Sequence, residues 1–327
     1  MPYVSPERVA RAREIDLYSY LKINEPQELV PCSGSEYCTR THDSLKISNG
    51  KWFWWSRGIG GKSALDFLIY VRGMDFVSAV ELLTGTEARS VSPSPVFVSK
   101  PKKKYEKLYL PPHHFDCKTA KKYLLSRGID DEIIDECIAK RMIAEDKNGN
   151  VIFIGYDEKG EAKHACMRET GGKNGRKDMA GSDKRYAFRF FAEKESTTVR
   201  VFEGAIDLLS YATVLKEIGK DFHGENLISL SGIYLPKQKI EESKIPHSLE
   251  YYLVTHENTK QICLYLDNDY AGKRGADALQ VILGASYDVR YIPPSVGKDY
   301  NDYLRIKKQI NFKNERNEKL ENSDQKR

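Results

Sequence analysis

Two stretches of the chain run apolar for the length of a β-strand and then stop on acids. No other feature limits the fold as much. Residues 199–202 (Val-Arg-Val-Phe) lead into Glu203-Gly204, with Asp207 four residues after the glutamate. Residues 263–266 (Cys-Leu-Tyr-Leu) lead into Asp267-Asn268-Asp269. Around them the pattern alternates: strand-like at 199–202, 226–230, 261–266 and 286–292, helical at 205–215, 236–243 and 272–283. Such alternation implies a parallel sheet with helices on its faces. The carboxyl ends of parallel strands share one edge, where open sheets hold their ligands. Side chains at i and i+2 of an extended run face one side, so Asp267 and Asp269 are expected to address one point. Glu203, Asp207, Asp267 and Asp269 are thus expected to converge.

Bare carboxylates about 4 Å apart repel by roughly 4 kcal/mol per pair at an effective dielectric of about 20. A site that gathers several needs protons or a cation. All-oxygen donors suit Mg²⁺ or Mn²⁺, which meet phosphate oxygens readily. The chemistry such a site supports is phosphoryl transfer, or the making and breaking of phosphodiesters. Taken singly, Asp207 reads equally as a charge in a first helical turn, and Asp267-Asn268-Asp269 as a polar turn. Only the joint spacing points to a site.

Glu203-Gly204-x-x-Asp207, followed about sixty residues later by Asp267-x-Asp269-x-Ala271-Gly272, resembles the Toprim domain. Bacterial primases, topoisomerases, OLD-type nucleases and RecR-like repair proteins share that domain. Lys298-Asp299-Tyr300-Asn301-Asp302 is similar to the Lys-Asp-Pro-Asp-Glu segment of primases, with Tyr300-Asn301 in place of Pro-Asp. The resemblance covers about 197–304. It implies acid/base work for Glu203, metal binding for Asp267 and Asp269, and secondary metal or structural roles for Asp207, Asp299 and Asp302.

Upstream, residues 123–129 (Tyr-Leu-Leu-Ser-Arg-Gly-Ile) resemble the start of the bacterial primase catalytic core. Lys177-Asp178-Met179-Ala180-Gly181, leading into Lys184-Arg185-Tyr186, resembles its basic strand. Arg168, Lys173, Arg176, Lys177, Lys184 and Arg185 then form a cationic stretch suited to nucleotide or template phosphates. A solvated glycine-rich hairpin loop is the alternative reading. Together, residues 115–304 resemble Toprim proteins of plasmids and conjugative elements that carry a DUF3991-type region before the Toprim domain.

The first 85 residues read as a small α+β unit. Ser5-Pro6 opens a helix through residue 21, and a polar segment spans 31–44. Asn49-Gly50 then turns a hairpin between 44–48 and 51–55, and two helices, 63–71 and 76–83, break at Gly73. The hairpin, the Gly60-Gly61 turn and residues 64–68 resemble the primase zinc-binding domain. Cys32, Cys38 and His42 stand at one end, but Trp55 and Gly58 occupy the places of the second ligand pair. Zinc is therefore not expected. Trp52, Phe53, Trp54 and Trp55 are expected to form an aromatic core in its place, or to stack bases beside Lys51, Arg57 and Lys62. Gly60-Gly61-Lys62-Ser63 has Ser56 where a P-loop needs glycine and is rejected as one.

The expected architecture is α/β. A Toprim parallel sheet with flanking helices (196–304) follows an α+β primase-core-like subdomain (113–195), with helices at 119–127 and 131–139 and strands at 151–156, 162–168 and 185–191. Before it come a zinc-ribbon-like module (1–85) and a linker (86–112), and after it a charged tail (305–327). The balance of 52 basic to 47 acidic residues permits a local basic face without establishing one. No run approaches the roughly 18 apolar residues of a membrane span. The first residues have no apolar signal region, and six irregularly spaced cysteines suit a reducing cytoplasm. The expected function is a Mg²⁺- or Mn²⁺-dependent, primase-like nucleotidyltransferase in the replication or transfer of a mobile element. Its partners would be single-stranded DNA, nucleotides, and a helicase or relaxase, with no membrane. Two classes stay open beside it: a Toprim nuclease, and a DNA-binding accessory protein whose acids are structural.

Overall fold

The computed structural model describes residues 4–33, 36–85, 107–171, 175–237 and 239–308. They fall into two units, Met1–Lys103 and Lys104–Arg327, each with its own core.

In the first unit the helix expected through residue 21 is two helices. Helix α1 (Pro6–Glu14) is capped by Ser5, and α2 (Leu17–Asn24) by Asp16, whose carboxylate accepts the Ser19 N–H at 3.0 Å. An aspartate before a leucine stops one helix and starts the next. An antiparallel sheet follows in sequence order: β1 (Leu29–Ser33), β2 (Glu36–Thr39), β3 (Leu45–Ser48), β4 (Lys51–Trp54) and β5 (Ile59–Gly61). The first two strands run through the segment expected to be a polar connection. Asn49 and Gly50 turn β3 into β4 with φ of 51° and 66°, as the hairpin signal requires. Helices α3 (Ala64–Tyr70) and α4 (Phe76–Gly85) close a core around Leu17, Leu21, Leu45, Trp52 and Phe67. Ser63 and Asp66 form a capping box at α3, and Asp66 also accepts the Lys62 N–H at 3.0 Å. The amides that mimic a phosphate loop therefore serve the helix.

The aromatic core expected from four residues contains Trp52, with Trp54 packed against it. Trp52 is 3% exposed and donates its indole N–H to the Ser63 carbonyl at 3.0 Å. Trp54 is half-buried, whereas Trp55 is 41% exposed and meets Phe53 edge-on, ring centroids 4.9 Å apart. Strand alternation is the reason: 52 and 54 share the core face and 53 turns away.

The second unit begins with β6 (His113–His114), α5 (Lys118–Ser126), α6 (Asp131–Ala139), β7 (Ile143–Asp146), β8 (Val151–Tyr156), β9 (Ala162–Arg168) and β10 (Arg176–Asp178). Its strands pair antiparallel in the order β10-β9-β8-β7-β6. Gly128, at φ 84°, ends α5 as expected. There follow β11 (Arg189–Phe190), β12 (Thr198–Phe202), α7 (Ala205–Glu217), β13 (Asn226–Ser229), α8 (His247–Thr255), β14 (Gln261–Tyr265), α9 (Tyr270–Leu283), β15 (Asp288–Tyr291) and α10 (Tyr300–Lys307). The second sheet has the order β11-β13-β12-β14-β15, with β11 antiparallel and the other four parallel.

Three expectations need correction here. The strand read over 185–191 is the two-residue β11, entered through a 3₁₀ turn at Lys184–Tyr186. The helix read over 236–243 is only a 3₁₀ turn at Ile240–Glu242, and the helix of that region is α8. The segment read as a tail from residue 305 starts inside α10, where Leu304 and Arg305 are buried. Both sheets share one core, in which Leu124, Ile133, Val151 and Phe153 meet Phe202, Leu208 and Tyr265. The boundary expected at 195/196 does not divide the two sheets, because β11, at Arg189–Phe190, already pairs with β13 in the second. Residues 86–106 of the linker, Lys173 and residues 309–327 lie outside the described residues. No helix among those described is long and apolar enough to cross a membrane.

Candidate active site

Parallel pairing of β12 with β14 sets Phe202 beside Tyr265, so the acids that follow both strands emerge at one edge. Glu203 is 7% exposed, and its Oε1 accepts the Asp267 N–H at 3.2 Å. Asp207, in the first turn of α7, accepts the Asn301 N–H at 3.4 Å. Asp269 caps α9 by accepting the Gly272 N–H at 3.0 Å. A Cβ on Gly272 would stand 2.0 Å from the Asp267 carbonyl oxygen, so glycine alone lets α9 start this close to the acidic loop. Asp299 caps α10 through the Asp302 N–H at 2.7 Å, and Asp302 accepts the Lys298 N–H at 3.3 Å. Asn301, fully buried, donates to the Arg127 carbonyl and the Ser210 hydroxyl, both at 2.8 Å. The asparagine that departs from the primase pattern therefore ties α10 to α7 and to the end of α5.

A cavity of about 270 Å³ lies at this edge. Glu203, Asp207, Asp267 and Asp299 line it together with Arg127, Arg168, Arg176 and Lys298. Burial pushes the Glu203 carboxyl up to about 8, with Asp267 and Asp269 adding to the effect and Lys298 opposing it. Burial also pushes Asp267 up to about 6, against the Lys298 ammonium. Asp207 is raised by burial and then by Asp299, Asp267 and Glu203. Asp299 is raised by burial, with the Asp302 amide opposing. Lys298 Nζ stands 3.1 Å from Asp267 and 3.3 Å from Asp269.

Of the acids singled out in the sequence, Glu203, Asp207, Asp267 and Asp299 share the cavity. Asp269 meets Asp267 on the Lys298 ammonium, and Asp302 is engaged by the backbone. The cationic stretch divides. Arg168 and Arg176 line the cavity, whereas Lys184 bonds the Ser231 carbonyl at 2.8 Å and pairs with Asp178 at 3.1 Å. Arg185 pairs with Asp183 at 2.6 Å, and Lys177 is exposed on β10. In the first unit, Lys51 and Lys62 are exposed and Arg57 lies 5.4 Å over the Trp54 ring. Cys38 is buried, which pushes its thiol up to about 11, and Lys46 reaches Cys32 Sγ at 3.3 Å. His42 packs against Trp54 with the rings tilted by 30° and their centroids 4.2 Å apart. Sequence reasoning left Arg127, His164 and Lys298 out of the site, although Arg127 precedes the helix-ending Gly128 and Lys298 adjoins Asp299.

Oxygen donors whose protons are held up by burial and by one another are a set that a hard divalent cation relieves. Lys298 places one positive charge between Asp267 and Asp269. The donor chemistry fits Mg²⁺ or Mn²⁺. Among the described residues, no three His, Cys, Asp or Glu side chains already stand together as a metal centre, so the acids surround the cavity without clasping a point.

Comparison with known proteins agrees with this organisation. Residues 122–195 match the model of a protein family of unknown function (DUF3991), and residues 200–304 match the Toprim-like model. An uncharacterized protein of Bacillus anthracis (pXO2-78) is 30% identical over 294 residues, covering 84% of this chain and 78% of that protein. A 65 kDa protein of Zymomonas mobilis is 26% identical over 302 residues, which cover 86% of this chain and 48% of that one. Among solved structures, the primase fragment of the bacteriophage T7 primase-helicase protein is 14% identical, with a TM-score of 0.40 over 86% of this chain and 95% of that one. The Aquifex aeolicus primase, with its zinc-binding and RNA polymerase domains, is 18% identical, with a TM-score of 0.37 over 98% of this chain and 86% of that one. By the two matched models and the Bacillus anthracis relative, the chain belongs to the family of Toprim-like proteins that carry a DUF3991 region before the Toprim domain.

Proposed function

We propose that the protein is a divalent-cation-dependent nucleotidyltransferase of the primase type, which joins nucleotides on single-stranded DNA in the replication or transfer of a mobile element. The observation that carries this reading is the cavity, in which Glu203, Asp207, Asp267 and Asp299 sit with Arg127, Arg168 and Arg176. Nucleotide transfer needs both kinds of side chain: acids to manage a proton and a cation, and guanidinium groups to hold phosphate. Mg²⁺ or Mn²⁺, when bound, would be held by Asp267 and Asp269 with Asp207 and Asp299 nearby, and would offset the charge that develops on phosphate oxygens. Glu203, pushed up to about 8, exchanges a proton close to neutral pH. It is suited to take the proton of an attacking 3′-hydroxyl as the new P–O bond forms and pyrophosphate leaves. Lys298 holds Asp267 and Asp269 in place between turnovers.

A primer-synthesis assay on single-stranded DNA with labelled nucleotides and Mg²⁺ or Mn²⁺ tests this. Wild type is expected to extend products. Asp267→Ala should abolish them, and Glu203→Gln should lower the rate by roughly 10²- to 10⁴-fold, the usual weight of a general base. Shortened DNA in place of extended products would assign a nuclease. No turnover with either cation, alongside intact DNA binding, would assign an accessory protein.

A further inference from the structure

Antiparallel pairing of β9 with β10 places Arg168 directly opposite Arg176, and Cys166 opposite Asp178. Residues 164, 166 and 168 share one face of β9 by alternation, and His164, Cys166, Arg168 and Arg176 all line the cavity. Like charges directly opposite on a ladder destabilise it. Arg168 donates to the Tyr123 hydroxyl at 3.2 Å, and no described carboxylate pairs with either guanidinium. Beside them, His164 is fully buried and neither of its ring nitrogens has a hydrogen-bond partner. Its Nε2 stands 3.7 Å from Asp178 Oδ1, within ion-pair range and beyond a hydrogen bond. Arg127 Nε, on the same cavity, is likewise buried and unpartnered. Buried polar atoms without partners are rare, and these three stand on one cavity, where a bound anion accounts for them together.

We infer that His164 is a ligand-contacting residue that, with Arg168 and Arg176, grips the terminal phosphates of a nucleoside polyphosphate. Two opposed guanidinium groups are relieved by an anion between them, and each presents a fork that matches phosphate oxygens. The imidazole lies wholly beneath the surface in the wall of a cavity of about 270 Å³, a space that suits the end of a phosphate chain better than a continuous DNA strand. Asp178 is the positioning residue. It receives the Ser231 hydroxyl at 2.8 Å and the Lys184 ammonium at 3.1 Å, and it faces Nε2, which leaves Nδ1 for the ligand. The inference deepens the nucleotide-transfer reading and rests on it for the identity of the polyphosphate, but its test needs no turnover.

The test is equilibrium binding to the full chain in EDTA, by calorimetry, with inorganic tripolyphosphate and with ATP, beside a labelled oligothymidylate. Wild type should bind both polyphosphates. His164→Leu should weaken each by about tenfold or more and leave the oligonucleotide within about twofold, while His164→Gln, which keeps an N–H, should recover most of the loss. Arg176→Ala should weaken polyphosphate binding to a similar degree while holding or raising the melting temperature, because it removes a like-charge pair. If His164→Leu does not fold, Arg176→Ala and His164→Gln decide the matter. The inference is overturned if wild type binds no tripolyphosphate, if the variants bind it as wild type does, or if oligonucleotide affinity falls in the same proportion. Weakened polyphosphate binding in the variants, with no primer synthesis by wild type, keeps this site and removes the nucleotidyltransferase reading. Synthesis by wild type with unchanged polyphosphate affinity in the variants does the reverse.

Discussion

At the scale of the residue, charge that is shared behaves differently from charge that is merely present. His223 donates Nε2 toward Glu136 at 2.9 Å and Nδ1 toward Asp221 at 2.7 Å, and only the imidazolium can donate both. Burial alone would lower its pKa, but the two carboxylates outweigh burial and raise it above 6.5. A proton bound more tightly in the folded state stabilises the fold below the unfolded pKa, and that stabilisation is lost as pH rises through the folded value. His223→Gln is therefore expected to cost about 0.5–1 kcal/mol at pH near 5.5 and markedly less near pH 9. Thermal unfolding at the two pH values checks this, and an equal loss at both would show that the imidazolium carries no weight. The same scale explains why the sequence overstated the basic stretch. Lys184 and Arg185 count as free charges in a linear reading, yet Asp178 and Asp183 hold them.

At the scale of the element, the acidic edge depends on how closely α9 can start after β14. Gly272 allows that approach, since any side chain there collides with the Asp267 backbone. Gly272→Ala should lower stability by about 1–3 kcal/mol through the forced shift of the Asp267 loop. It should also reduce primer synthesis more than it reduces DNA binding. Unfolding curves together with paired activity and binding measurements test it, and an unchanged melting temperature would mean that the helix start is softer than its geometry implies. The strand–acid–glycine–helix pattern was legible because both of its periods are local. Helix α8 was not: its tyrosines and Val254 favour strand locally, and the burial of Leu249, Tyr252 and Leu253 against the parallel sheet decides for helix.

At the scale of the whole molecule, each of the two units has a core of its own. Residues 104–327 expressed alone should therefore fold and unfold in a single cooperative transition, and should keep polyphosphate binding. A broad, non-cooperative melt of that fragment would refute the independence of its core. Within this unit, the parallel sheet, the strand ends that carry Glu203 and Asp267, and Gly272 three residues after Asp269 were legible before any folding, because each depends on residues at most a few positions apart. Which charges meet came from long-range packing. Asn301 reaches Arg127 and Ser210, Lys298 lies between Asp267 and Asp269, and His164 faces Asp178 on the cavity with neither ring nitrogen hydrogen-bonded. Those pairings bring together residues far apart in the chain, and burial and partner supply, which set the charge states there, exist only once the two sheets have closed on a common core.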